Sequence, residues 1–239
     1  MKTGGIRRVF DLARELPDCI NLSLGEPDFC VSQSALELGC QAAEKGETHY
    51  TPTNGIPELR AALAEKAHND YGLDYHPNCE VLVTCGAGEA ISLSLLGLVN
   101  PGARAAAYVT PPGASKSRVM LLNFPNNPTG AVLSHDDAAS LAGVAVERDM
   151  IVISDEVYEK IVYDEAKHCC MATLQGMRER TLIINSFSKT YAMTELRVGF
   201  VYGPRELIAP LWLIHQYTVT CVALRNTSVL QCSKDLRNL

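Results

Sequence analysis

Residues 151–158 read IVISDEVY and residues 181–190 read TLIINSFSKT. Each is a short β-branched, apolar run that ends abruptly in polar side chains. A strand with so little internal polarity is what a sheet covered on both faces requires. Similar runs recur at Val81–Thr84, 119–122 and 198–202, and helical patterns at 89–99 and 134–148 separate some of them. This alternation predicts an α/β fold, a mostly parallel sheet with flanking helices. Ligands of such sheets sit beyond the carboxyl ends of the strands, so the polar residues at those ends are the candidates for function. Ahead of the sheet, residues 56–71 (IPELRAALAEKAHNDY) have helical spacing, with Pro57 in the first turn and Gly72 just past the end. A further helix is expected over 34–44 behind a serine cap, after an irregular arm of about 30 residues.

Composition narrows the classes of function. The 239 residues carry 21 Lys+Arg against 27 Asp+Glu, a net charge of −6, and no basic cluster longer than Arg7-Arg8. That balance offers no footprint for nucleic acid or an anionic membrane. The longest mostly apolar run, 91–99, is far shorter than the roughly 20 residues of a membrane span. The first residues, MKTGGIRRVFDLARELPD, lack the apolar segment of a secretory signal, so a cytoplasmic location is expected. Nine cysteines, an odd number without a CxxC pair, fit neither a disulfide framework nor a zinc site, and no metal is expected.

At the strand ends the polar residues form a chemically coherent set. Strand 81–84 is followed by Cys-Gly-Ala-Gly-Glu, where Gly86, Ala87 and Gly88 open a helix whose N–H groups could approach a phosphate. Glycine at such a turn also serves plain geometry. The 119–122 run leads into NFPNNPTG (123–130), with Asn127 in a proline-constrained loop that a turn capped by asparagine would also explain. Asp155 and Tyr158 follow the third run, and a carboxylate leaving an apolar strand needs a cation or hydrogen bonds. Lys189 follows the next, flanked by Ser186 and Ser188, with Arg197 eight residues on. An interior Lys189–Asp155 ion pair is the bland explanation. It leaves unexplained why an amine, a carboxylate, a phenol, an amide and an anion site collect at one edge. Pyridoxal phosphate would use all five: an amine for its aldehyde, a carboxylate for its ring nitrogen, donors for its 3-oxygen and contacts for its phosphate.

With SLGEPDF (23–29), HYTPTNGIPELR (49–60), VTCGAGEA (83–90), NFPNNPTG (123–130), SDEVYE (154–159), SFSKTYAM (186–193) and RVGF (197–200) in this order, the chain resembles the class I/II aminotransferases of fold type I, most closely the aspartate and aromatic branch. The resemblance implies roles residue by residue. Lys189 would form the Schiff base with pyridoxal phosphate and move the proton during transfer. Asp155 would pair with the pyridine nitrogen, Tyr158 and Asn127 would donate to the 3-oxygen, and Ser186, Arg197 and the backbone of Gly86, Ala87 and Gly88 would hold the phosphate. Tyr50 resembles a tyrosine that reaches the phosphate across a homodimer interface, and Gly25 a backbone position near the substrate carboxylate. The implied reaction moves an amino group between an amino acid and a 2-oxo acid by a ping-pong mechanism.

The chain also departs from the family. Relatives carry a strand, a ring-stacking aromatic, a helix and another strand after the phrase that here reads Asn100-Pro101-Gly102; this sequence passes directly into the small-residue stretch that follows. Residues 1–48 read as an N-terminal arm and remnant of a small domain, and 49–239 as a cofactor-binding large domain that lacks edge strands. Relatives continue into a C-terminal small domain with a carboxylate-binding arginine; that domain is expected to be absent here, and neither Arg225 nor Arg237 is assigned the role. Tyr108 is not a counterpart of the stacking aromatic. Loss of the edge strands would uncover the 119–122 strand, an aggregation-prone edge. Thr194-Glu195-Leu196 stands where the family more often has Thr-Gly-Trp, and Glu195 could compete with phosphate for Arg197. Two other readings stay open: a non-catalytic remnant that binds the cofactor or a partner, and a lyase on the same scaffold.

Overall fold

The computed structural model describes residues 25–99, 104–107 and 117–223, together with 9, 12, 13, 15, 16, 18 and 20. Tyr108, Arg225 and Arg237 lie outside the described residues. The chain forms two compact units, Met1–Cys30 and Val31–Leu239, and every element below belongs to the second.

Helix α1 (Gln33–Glu44) starts behind Ser32, whose hydroxyl accepts the Ala35 N–H. Helix α2 (Pro57–Tyr71) has proline in its first turn and ends at Gly72, which takes the left-handed conformation with φ 69°. Between them Gly55, at φ 100°, lies so close over Val83 that a Cβ would meet Val83 Cγ2 at 2.4 Å, so only glycine fits. Arg60, inside the NGIPELR motif, is buried and spends its guanidinium on the carbonyls of Gly55 and Pro77 and on Asn78 Oδ1. It holds the turn together and is no anion receptor.

Among the described residues six strands follow: β1 (Val81–Thr84), β2 (Arg104–Ala107), β3 (Ser117–Asn123), β4 (Ile151–Asp155), β5 (Thr181–Ser186) and β6 (Gly199–Tyr202). They pair in the order β1-β6-β5-β4-β3-β2. The β2–β3, β3–β4 and β4–β5 pairs are parallel, while β6 runs antiparallel to both neighbours. The sheet is thus mostly parallel, as expected, but the bare β3 edge is corrected: β2 pairs along it from Arg104↔Ser117 to Ala107↔Leu121. The small-residue stretch after residue 102 supplies this edge strand.

Period-two alternation divides the core between the two faces. Leu82, Val119, Ile153, Leu182, Ile184 and Val201 pack with Ala90 and Leu93 of α3 (Ala87–Leu98) and with Ile208 and Leu211 of α6 (Arg205–Thr218). On the other face, Val81, Val83, Ile183, Phe200 and Tyr202 meet Leu59, Leu63 and Ala67 of α2. There too Met120, Leu122 and Val152 meet Ala138, Ala142 and Ala145 of α4 (His135–Glu147). Burial on both faces explains the unbroken apolar runs. It also fixes the register that aligns Asn123 with Asp155, Asp155 with Ile184, and Gly199 with both Ser186 and Thr84.

Candidate active site

The strands extend further than their apolar runs, so Asn123, Asp155 and Ser186 are the last residues of β3, β4 and β5 rather than loop residues beyond them. Lys189 follows in the short helix α5 (Phe187–Thr190), which Ser186 opens by accepting the Ser188 N–H at 3.1 Å. The Lys189 ammonium stands 5.8 Å from the centre of the Tyr158 ring, and the Tyr158 hydroxyl receives a hydrogen bond from Asn127 Nδ2 at 2.9 Å. Amine, phenol and amide therefore form one contiguous group, drawn from β5–α5, the segment after β4 and the segment after β3.

Asp155 sits at the base of this group. Asn123 Nδ2 donates to its Oδ2 at 3.1 Å and the Val157 N–H to its Oδ1 at 3.3 Å. Both donors are neutral, and among the described residues Asp155 makes no ion pair. Burial pushes its carboxyl up to about 6, the two hydrogen bonds opposing and the neighbouring Glu156 charge adding to the rise. Such a group lacks a positive partner, and a protonated ring nitrogen is one. The interior Lys189–Asp155 pair is not among the ion pairs of the described residues.

The second half of the site lies where β1, β6 and α3 meet. Gly86 caps α3 at φ 80° without a side-chain cap, so the first-turn N–H groups keep the unpaired donors of any helix start. A Cβ at Gly86 would lie 2.4 Å from Arg197 Nη2, and one at Gly199 would lie 2.5 Å from the Gly86 carbonyl carbon. Glycine at both positions is what lets the guanidinium and the helix start come together. Arg197 itself adopts φ 52°, is exposed, and donates from Nη1 to the Thr194 carbonyl at 3.0 Å. Among the described residues no ion pair joins Glu195 to Arg197. Pairing of Ser186 with Gly199 connects the two halves. A cradle of a cation and helix N–H groups, an unsatisfied carboxylate and an amine beside a phenol match the charge pattern of pyridoxal phosphate.

Of the remaining candidates, Tyr50 is 87% exposed, free to reach outward. Gly25 belongs to the first unit and is exposed. Reading motifs alone assigned no role to Asn123, although it opens NFPNNPTG. Its Oδ1 accepts from Asn126 Nδ2 and from the Asn127 N–H, both at 3.1 Å, so one side chain ties the Asp155 carboxylate to the Asn127 loop. Its position as the last paired residue of a strand adjoining Asp155 was the available signal.

Comparison with known proteins gives the family of the chain. The chain matches the family Aminotransferase class I and II over residues 17–108 and 105–223, two segments that meet where the missing piece was expected. It is 38% identical to an aspartate aminotransferase of Pyrococcus abyssi and 36% identical to an aromatic-amino-acid aminotransferase of Thermococcus litoralis, in each case over 90% of this chain and 64% of the relative. It thus spans less than two thirds of the length of those relatives. The crystal structure of Pyrococcus protein-A1 superposes with a TM-score of 0.91 at 36% identity, covering 99% of this chain and 70% of that one. No helix among the described residues is long and apolar enough to cross a membrane. By sequence and by fold the chain belongs to the class I and II aminotransferase family, whose members are fold type I, pyridoxal-phosphate-dependent proteins.

Proposed function

We propose that this chain is an aminotransferase that moves an amino group between an amino acid and a 2-oxo acid by a ping-pong mechanism, with residues 49–239 holding pyridoxal phosphate. The observation that carries the reading is the Asp155 carboxylate, held only by neutral donors at the foot of the Lys189–Tyr158–Asn127 group. When bound, the cofactor supplies a carbonyl and an electron-accepting ring. Asp155 would hold a proton on the ring nitrogen, and gains an opposite charge in doing so. Tyr158 Oη and Asn127 Nδ2 would orient the 3-oxygen. Arg197, Ser186 and the N–H groups of residues 86–88 would bind the phosphate, Arg197 through charge-assisted hydrogen bonds. Lys189 Nζ would be the catalytic amine, the nucleophile that holds the cofactor's carbonyl carbon and the base that would take a proton from the substrate Cα.

The exposure of Tyr50 supports a homodimer in which this tyrosine serves the partner's phosphate site, and Gly25 is proposed near the substrate carboxylate. The seven cysteines among the described residues are all free, which supports a reducing, cytoplasmic setting. The test is a visible-absorbance titration of the purified chain with pyridoxal phosphate, with Lys189→Ala as control, followed by a panel of amino acids. A Lys189-dependent band that amino acids then convert supports the transferase. A band that amino acids leave unchanged reduces the reading to a cofactor-binding remnant, and no band in folded protein refutes it.

A further inference from the structure

Outside the residues already assigned, a buried histidine and a half-buried glutamate form a pair that reaches the phosphate side of the site. Glu89 is the third residue of α3, one turn into the helix that Gly86 opens. Its Oε2 accepts the Cys85 N–H at 2.6 Å, and its Oε1 faces His215 Nδ1 of α6 at 2.8 Å. His215 is fully buried and its Nε2 has no hydrogen-bond partner among the described residues. A buried bare acceptor is tolerated more readily than a buried N–H without one, which assigns the ring proton to Nδ1, as a donor to Glu89. Helix α6 is itself locked against α3, with Leu211 packed at Gly97 and beside Leu93.

The arrangement is half of a capping box. In the full motif a glutamate at the third position binds backward to the entry of the helix, while the cap side chain consumes a first-turn N–H. Here the backward bond goes one residue further, to the N–H of Cys85, because the N–H of the cap Gly86 is given to the Thr84 carbonyl, and glycine at the cap has no side chain to consume a first-turn N–H. The entry of the helix is fixed while its donors stay available. The location is also unexpected on charge alone, because Glu89 brings a carboxylate next to a proposed phosphate site.

We infer that Glu89 and His215 are positioning residues for the phosphate: His215 Nδ1–H orients the Glu89 carboxylate, which pins the Cys85 N–H and holds the 85–88 turn in its anion-binding form. This inference rests on the reading of the chain as a pyridoxal-phosphate protein. Geometry and electrostatics predict opposite outcomes for Glu89→Ala. Removal of a like charge alone would tighten phosphate binding; loss of the pinned turn weakens it.

The experiment compares equilibrium binding of pyridoxal phosphate with that of pyridoxal, which lacks the phosphate, in the wild-type chain and its variants, with thermal melting as the check on folding. Glu89→Ala is expected to weaken pyridoxal phosphate about tenfold, the value of one or two hydrogen bonds, and to leave pyridoxal unchanged. His215→Leu, which removes the Nδ1–H donor, is expected to weaken pyridoxal phosphate about threefold and leave pyridoxal unchanged, while His215→Asn, whose amide N–H can stand in for Nδ1–H, is expected to restore wild-type binding. Should Glu89→Ala fail to fold, Glu89→Gln carries the test: its single amide oxygen cannot serve Cys85 and His215 as a carboxylate does, and about a threefold, phosphate-selective loss is expected. Unchanged or tighter pyridoxal phosphate binding, or equal losses for both ligands, overturns the positioning role and leaves the cofactor reading intact. A wild-type chain that takes up neither ligand through Lys189 overturns the cofactor reading, and this inference with it.

Discussion

Asp155 and Glu156 are consecutive residues at the end of one strand, and the protein treats them in opposite ways. Glu156 is 1% exposed and fully provided for: Oε1 accepts from Ser154 Oγ at 2.8 Å and from the Met171 N–H at 3.2 Å, and Oε2 pairs with His168 Nε2 at 2.8 Å. Burial pulls His168 down, but the Glu156 carboxylate outweighs it and holds the imidazole above its ordinary range. Asp155, on the other face of the pleat, has neutral donors only and is pushed up to about 6. Period two sends one carboxylate into a finished polar cluster and the other into the site. A charge left incompletely satisfied beside a finished one marks where a ligand is meant to complete the structure, and it costs stability until the ligand arrives.

The comparison breaks most readily at Glu156. Glu156→Ala leaves His168 without its partner and strands the Ser154 hydroxyl and the Met171 N–H, and should cost about 3 kcal/mol of folding stability by urea denaturation. A cost near zero would mean that the cluster is not the finished side. Next comes the phosphate half. Gly86→Ala forces a side chain to φ 80° and against Arg197, and is expected to cost about 2 kcal/mol while weakening pyridoxal phosphate uptake. The smallest change has the opposite sign. Because the folded Asp155 carboxyl titrates above its unfolded value, its favourable contribution is complete below about 4 and is lost as the pH rises through about 6. Asp155→Asn should therefore stabilise the cofactor-free chain by about 1 kcal/mol at pH 8 and hardly at all at pH 4, as a pair of melting curves would record. His168 contributes in the same direction in both chains, so both lose stability as the pH rises, and the wild type, with the Asp155 contribution added, loses it more steeply.

Legibility in the sequence followed how local the cause was. The apolar runs at 81–84, 151–153 and 181–184 announced strands because burial on both faces leaves no polar interruption, and Pro57 and Gly72 announced the ends of α2. The candidate residues Asp155, Tyr158, Asn127, Lys189, Gly86 and Arg197 were legible as polar punctuation after those runs, and they form the two halves of one edge. Three features were not legible in this way. Strand β2 is built from a small-residue stretch without the β-branched signature of the other strands, and its place is set by pairing with β3. Asn123 looked like part of a turn, yet its contact with Asp155 spans 32 positions. The Glu89–His215 pair spans 126 positions, and no local pattern links a glutamate on one helix to a histidine on another.

The central claim, that this edge is built to hold pyridoxal phosphate through Lys189, is tested most directly by reducing the chain with borohydride after incubation with pyridoxal phosphate and mapping the labelled peptide by mass spectrometry. One label per chain, on the peptide containing Lys189 and lost in Lys189→Ala, is the predicted result. A label distributed over exposed lysines, with Lys189 unmodified in folded protein, would contradict it.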